Sequence, residues 1–319
     1  MNGIRIIGSG HCVPRGVVTN DDLAQRMDTS DEWIATRTGI RRRHHVQDET
    51  QTGLCIEAAR TALACSGAAP EDVAVCIVAT MSPENLMPAT ACSVQKALGL
   101  PTDTLCFDLN AACSGFVFAL HTAECLLAAS ERKLALVIGG EALSRIVNWD
   151  DRGSCILFGD GAGAVVVESR REWPSISAIT GCDGNAELLH AAGPGSGQPT
   201  LIAMDGQRVF HFAVETVSAC MEQVLARHGA DMADVDWFVF HQANARIIDL
   251  VRRKHGIPEA KLYLNVDEYG NTSAASIPIA LSEMREKGLT RPGDRVLVVG
   301  FGGGLTWGGA LIQIEEAIK

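Results

Sequence analysis

The sequence predicts an α/β fold of two similar halves, residues 1–170 and 171–319, in which helices are layered against mixed sheets. Three observations lead there. Gly67 to Thr80 reads GAAPEDVAVCIVAT, and the pattern restarts at Gly229 to Gln242 as GADMADVDWFVFHQ. An amphipathic helical stretch precedes each copy, ETQTGLCIEAARTALACS in one and FAVETVSACMEQVLARH in the other. Short apolar runs alternate with these helices, as strands buried on both faces do.

Taken in order, the N-terminal MNGIRIIGSG enters a strand pattern directly, without the basic and apolar regions of a secretory signal, so a cytoplasmic protein is expected. In DTSDEW, Thr29 with Glu32 reads as a capping box that opens a helix. After the first repeat, ALGLPTDTLCFDL is matched by KHGIPEAKLYLNV, KLALVIGG by DRVLVVGF, and GDGAGAVVVE by WGGALIQIE. A duplicated α/β fold leaves a cleft between its halves, where ligands bind.

Composition narrows the function. In 319 residues, 47% are hydrophobic, yet no apolar run approaches the length of a membrane span. A net charge of -11 argues against nucleic-acid binding, which needs a basic surface. The eleven cysteines are odd in number and lack C-x-x-C spacing, so they read as mostly reduced core residues; no metal is expected.

Three residues stand where chemistry is done. Cys113, in FDLNAACSGFVFALHTAECLLAA, lies between a strand ending near Asn110 and a helix, where N–H groups and the helix dipole favour a thiolate. The alternative is one more small buried side chain. His241 ends the strand VDWFVFHQAN, at the carboxyl end where α/β folds place their sites, or is simply a hydrogen-bonded strand-end histidine. Asn271, in NVDEYGNTSAASIPIAL, reads alone as a helix cap, but the repeat sets it almost opposite Cys113 as a donor into the same cleft. The glycine runs at 159–164 and 300–304 precede strands, which disfavours a dinucleotide site. They read as tight turns, or, for GFGGG, as close backbone approach that offers an N–H to an oxyanion.

With these residues in place the chain resembles the thiolase-fold condensing enzymes, and specifically the β-ketoacyl-[acyl carrier protein] synthase III family. DTSDEWIATRTGIRRR, ACSGF, DRGSCILFGDGAGAVV, HQAN, YGNTSAASIP and GFGGGLTWG stand in the family's order. The resemblance implies a thiolase-like α-β-α-β-α fold with two mixed five-stranded sheets and pseudo-two-fold halves, and a homodimer. It implies an acyltransferase that initiates fatty acid biosynthesis: Cys113 takes an acyl group from acyl-coenzyme A, and malonyl-acyl carrier protein then condenses with it. His241 and Asn271 would stabilise the enolate, and the N–H groups of Cys113 and Gly303 the oxyanion. No cofactor is implied beyond the substrates acyl-CoA and malonyl-ACP. Coenzyme A contacts fall on Thr29, Trp33, Arg37, Arg152, Gly206, Phe210, Asn244 and Arg246. Trp33 and Arg152 suit an adenine sandwich and Arg37 a phosphate, unless Trp33 is a core residue.

Arg246, Arg252, Arg253 and Lys254 form a basic stretch that would dock the acidic carrier protein, or a solvated helix face. His211 stands where the family often has lysine. Met87 matches the position that reaches across the dimer to the partner's acyl tunnel, and leaves primer length open. Rival readings are a condensing enzyme of specialised metabolism, a cysteine hydrolase, which lacks its C-G-[SA]-C-[WY] signature, and an inactive acyl-binding subunit.

Overall fold

In a computed structural model, which describes residues 2–318, two mixed sheets are sandwiched among three layers of helices. The first sheet has five strands in the spatial order Gly3–Cys12, Gly161–Arg170, Leu134–Glu141, Val73–Ala79 and Leu105–Leu109. Its last three strands are parallel, while Gly161–Arg170 runs against both neighbours. All seven residues of Val73–Ala79 are buried, as expected of a strand covered on both faces.

The second sheet repeats the plan with four strands, in the order Trp237–Phe240, Arg295–Gly302, Thr306–Gln313 and Ile179–Cys182. The fifth strand expected here is reduced to one parallel bridge, Phe238 to Leu262. A one-turn helix, Glu259–Lys261, leads in, and the helix Val266–Tyr269 begins soon after, which leaves too few extended residues for a ladder.

The helices Gly115–Ala128 and Ser276–Glu286 form the central layer. Phe116 and Leu120 from one, and Ile277 and Leu281 from the other, share a core with Val137 of the first sheet and Val298 of the second. Gln51–Ser66 and Thr90–Leu98 cover the outer face of the first sheet, and Gly206–His228 and Ala245–His255 that of the second. Among the described residues no helix is long and apolar enough to cross a membrane.

Local chemistry explains the repeat. Thr50 caps its helix by accepting from Gly53 N, and Asp205 does so from Arg208 N. The glycine that opens each repeat copy, Gly67 or Gly229, is the left-handed residue that ends that helix, at φ 68° and 56°. One cap differs from expectation. Ser30, not Thr29, caps the helix Asp31–Thr38, accepting from Trp33 N at 3.1 Å, and no Thr29–Glu32 box forms.

Candidate active site

Both central helices start from the same turn. A one-turn 3₁₀ helix, Ala112–Ser114, precedes Gly115–Ala128, and another, Ser273–Ala275, precedes Ser276–Glu286. Each opens on a non-glycine residue at positive φ, Ala112 at 45° and Ser273 at 49°. In each, an asparagine two residues upstream accepts from that residue's N–H: Asn110 Oδ1 from Ala112 N at 3.1 Å, and Asn271 Oδ1 from Ser273 N at 2.9 Å. The turns correspond residue by residue, so Asn271 matches Asn110, and the counterpart of Cys113 is Ala274. Asn271 reaches the cavity from a position three residues earlier in the motif than Cys113.

Cys113, His241 and Asn271 line one cavity of about 510 Å³. Asn271 is buried and its Oδ1 is occupied by Ser273 N, which leaves the Nδ2 amide as the end free to donate. His241 is buried, with Nδ1 2.7 Å from Ser276 Oγ and its ring edge-on to Phe301 at 5.2 Å. Burial lowers its pKa to about 3, so the ring is neutral at physiological pH.

Burial opposes the thiolate that the strand-to-helix junction favours. Burial pushes the Cys113 thiol up to about 12, and the Ser273 hydroxyl and the Cys113 N–H pull it down by less. Glu141, fully buried nearby, raises it further. The Glu141 carboxyl is itself lifted to about 7 by burial, although Ser82 Oγ, Met81 N and Thr80 Oγ1 donate to it. Nothing in the sequence pattern marked Glu141; it ends an apolar strand and becomes conspicuous only when enclosed.

The GFGGG run packs directly on Cys113. A Cβ on Gly302 would meet Cys113 Sγ at 3.0 Å, and one on Gly300 would meet Ser114 Cα at 2.9 Å. Close approach, rather than a positive φ, is what these two positions require, and both lie within the strand Arg295–Gly302 instead of ahead of it. Gly303 lines a second cavity of about 720 Å³, which Cys113 also lines, with Leu86, Leu143, Ile146 and Leu189.

Two sequence-family models match. Residues 107–184 match 3-oxoacyl-[acyl-carrier-protein (ACP)] synthase III, and residues 225–314 match its C-terminal part. The chain is 45% identical over 323 residues to the β-ketoacyl-[acyl-carrier-protein] synthase III of Clostridium acetobutylicum, covering 98% of this chain and 99% of that one. The Methylococcus capsulatus protein of the same name is 46% identical over 316 residues, covering 97% and 98%. The chain belongs to the 3-oxoacyl-[acyl-carrier-protein] synthase III family. The crystal structure of the Aquifex aeolicus 3-oxoacyl-[acyl-carrier-protein] synthase III is similar at a TM-score of 0.92, with 43% identity over 98% of this chain and 100% of that one. As a member of this thiolase-fold family the chain is a condensing acyltransferase.

The residues that the family resemblance nominated for coenzyme A separate into groups. Trp33, Arg37, Gly206, Phe210, Asn244 and Arg246 line the cavity that holds Cys113. The guanidinium groups of Arg37 and Arg152 lie over the Trp33 ring at 4.4 and 4.6 Å, and that of Arg246 over Phe210 at 5.7 Å. Arg152 is not part of the cavity lining, but its neighbour Gly153 is. Thr29 lies outside that lining, and its Oγ1 is buried without a partner. Asn244 is committed within the protein: Oδ1 caps the helix Ala245–His255 by accepting from Arg246 N, and Nδ2 donates to Arg37 O.

Of the basic stretch, Arg252 and Arg253 both pair with Asp249, just under and just over one turn back on the helix, which offsets part of their charge. His211 is exposed on the helix Gly206–His228. Met87 is 86% exposed and lines neither of these two cavities, whereas Leu86 lines the second.

Proposed function

We propose that this chain condenses an acyl-coenzyme A primer with malonyl-acyl carrier protein to start a fatty acid, through an acyl group held on Cys113. The observation that carries the reading is the cavity in which a buried thiol, a neutral histidine and an asparagine amide with its Nδ2 free come together. This set suits an anionic transition state.

In the first half-reaction Cys113 Sγ attacks the thioester carbonyl, the bond to the coenzyme A sulfur breaks, and the thiol proton passes to the departing coenzyme A. The N–H groups of Cys113 and Gly303 receive the carbonyl oxygen. In the second, the malonyl carboxylate leaves as carbon dioxide, and its bonding pair forms an enolate whose oxygen accepts from Asn271 Nδ2 and His241. The enolate carbon attacks the acyl-Cys113 carbonyl; the Cys113 sulfur departs and takes a proton from solvent.

Trp33 with Arg37 and Arg152 supports the coenzyme A end, since a planar base can exchange with a guanidinium on an indole face. Arg246, Arg252, Arg253 and Lys254 support docking of an acidic carrier protein, weakened by Asp249. The division of labour follows the two halves, residues 1–170 bringing Cys113 and 171–319 bringing His241 and Asn271. A homodimer is supported by the edge strand Leu105–Leu109, with Leu105 48% exposed, and by the exposed Leu86 and Met87. Eleven free cysteines support a reducing, cytoplasmic setting.

Intact-protein mass spectrometry tests the reading. Acyl-coenzyme A should leave one acyl mass on the protein, absent from Cys113→Ala, and a chase with malonyl-carrier protein should move it into a β-ketoacyl carrier product. An adduct that only hydrolyses would sink it.

A further inference from the structure

His241 presents two nitrogens, and the surroundings of one decide what the other can do. Nδ1 lies 2.7 Å from Ser276 Oγ, the first residue of the second central helix. That same oxygen accepts, more weakly at 3.4 Å, from Gln242 N–H. The Gln242 side chain is fixed in turn by donation to Phe240 O and Tyr263 O, and by acceptance from Asn265 N. A hydroxyl carries one proton. Among the described residues the Ser276 Oγ has no other hydrogen-bond partner, and Ser276 is buried. If Nδ1 carried the ring proton, two donors would point at Oγ and the hydroxyl proton would be left buried without an acceptor, an arrangement that costs stability. We infer that Ser276 is a positioning residue that donates to His241 Nδ1, fixing the proton on Nε2 so that the ring serves as a hydrogen-bond donor and not as a base for Cys113.

The first half of the molecule shows that the fold itself does not need this hydroxyl. The strand Val73–Ala79 follows the one-turn helix Pro70–Asp72, and the strand bearing His241 at its end follows Met232–Asp234. The counterpart of His241 is therefore Ala79. The matching 3₁₀ turns make Gly115 the counterpart of Ser276. These two also face each other: a Cβ on Gly115 would meet Ala79 Cβ at 3.2 Å. The same junction is thus built once from alanine and glycine and once from histidine and serine.

The inference rests on the proposed role of His241 as donor to the enolate, and its test is separable from that role. Nitrogen-15 NMR of the histidine-labelled enzyme, with His241 assigned by its loss in His241→Ala, reads the tautomer directly. The expected state is Nε2–H, and a wild-type ring protonated on Nδ1 overturns the inference, whether or not Ser276→Ala folds. In Ser276→Ala the Nδ1–H tautomer should gain population, and condensation should slow by about three- to tenfold, as loss of one hydrogen bond implies. Acylation of Cys113 should change by less than about twofold, since on this inference His241 takes no proton from the thiol. An unchanged tautomer in Ser276→Ala, or an acylation rate that falls in step with condensation, also overturns it. Malonyl decarboxylation at the wild-type rate by His241→Ala would instead remove the donor role itself, whatever the tautomer.

Discussion

Replacing Gly302 by alanine probes how tightly the site is built around Cys113. The new Cβ would stand 2.8 Å from Cys113 Cβ, 3.0 Å from its Sγ and 3.1 Å from its N. Non-bonded carbons settle at about 3.5–4.0 Å, so roughly 1 Å of overlap must be relieved. The strand cannot easily yield, because Gly302 pairs with Thr306 and the neighbouring Gly300 lies against Ser114 Cα. Cys113 sits on a single 3₁₀ turn and is the part that moves. Overpacking of this kind costs about 1–3 kcal/mol of stability. Displacing a reacting atom by about 1 Å costs on the order of 100-fold in rate. The assay is the rate of Cys113 acylation by rapid-quench mass spectrometry, beside a denaturant titration. Gly184→Ala is the control, since a Cβ there meets nothing within 4 Å. Acylation of Gly302→Ala at the wild-type rate, or equal loss in the control, would refute the reasoning.

Asn271→Ala should leave acylation largely intact and slow malonyl decarboxylation by about 100- to 1000-fold, the usual effect of removing an oxyanion donor; equal losses in both half-reactions would contradict the assignment. Trp33→Ala should raise KM for acyl-coenzyme A about tenfold with little change in kcat, measured at saturating carrier protein. Glu141 titrates near 7 in the folded protein against an ordinary value of 4.5, so the folded state holds the extra proton and stability falls as pH rises from 4.5 through 7. Glu141→Gln should therefore be more stable than wild type at pH 8 and closer to it at pH 5, by urea titration. His241, lowered to about 3, works in the opposite sense: stability falls as pH drops from 6.5 toward 3, and His241→Gln should lose that slope.

Much of this was legible because the chain states its plan twice. Gly67 and Gly229 stand at matching places since a helix ending in a left-handed turn favours glycine, and an aligned repeat exposes that requirement without coordinates. Cys113 and His241 were found by the strand ends they occupy. Offsets were less secure. Thr29 and Ser30 are adjacent hydroxyls, either of which can begin a capping pattern, and only backbone geometry chose Ser30. Asn271 was set near Cys113 in the repeat, while the turns show Asn110 as its true counterpart. Asp249, which holds Arg252 and Arg253, precedes the basic run in the sequence and meets it only because a helix brings residues three and four apart together.

The sequence by itself determined the duplicated α/β plan and the identities of the thiol, the imidazole and the amide, because periodicity, caps and strand ends are local properties of the chain. Tertiary structure alone decided what those groups are. Enclosure pushes the Cys113 thiol up and the His241 ring down, lifts Glu141 toward 7, and brings Ser276 to Nδ1 from 35 residues away. Desolvation and hydrogen-bond direction depend on what surrounds a group on every side, and the order of residues along the chain does not carry that.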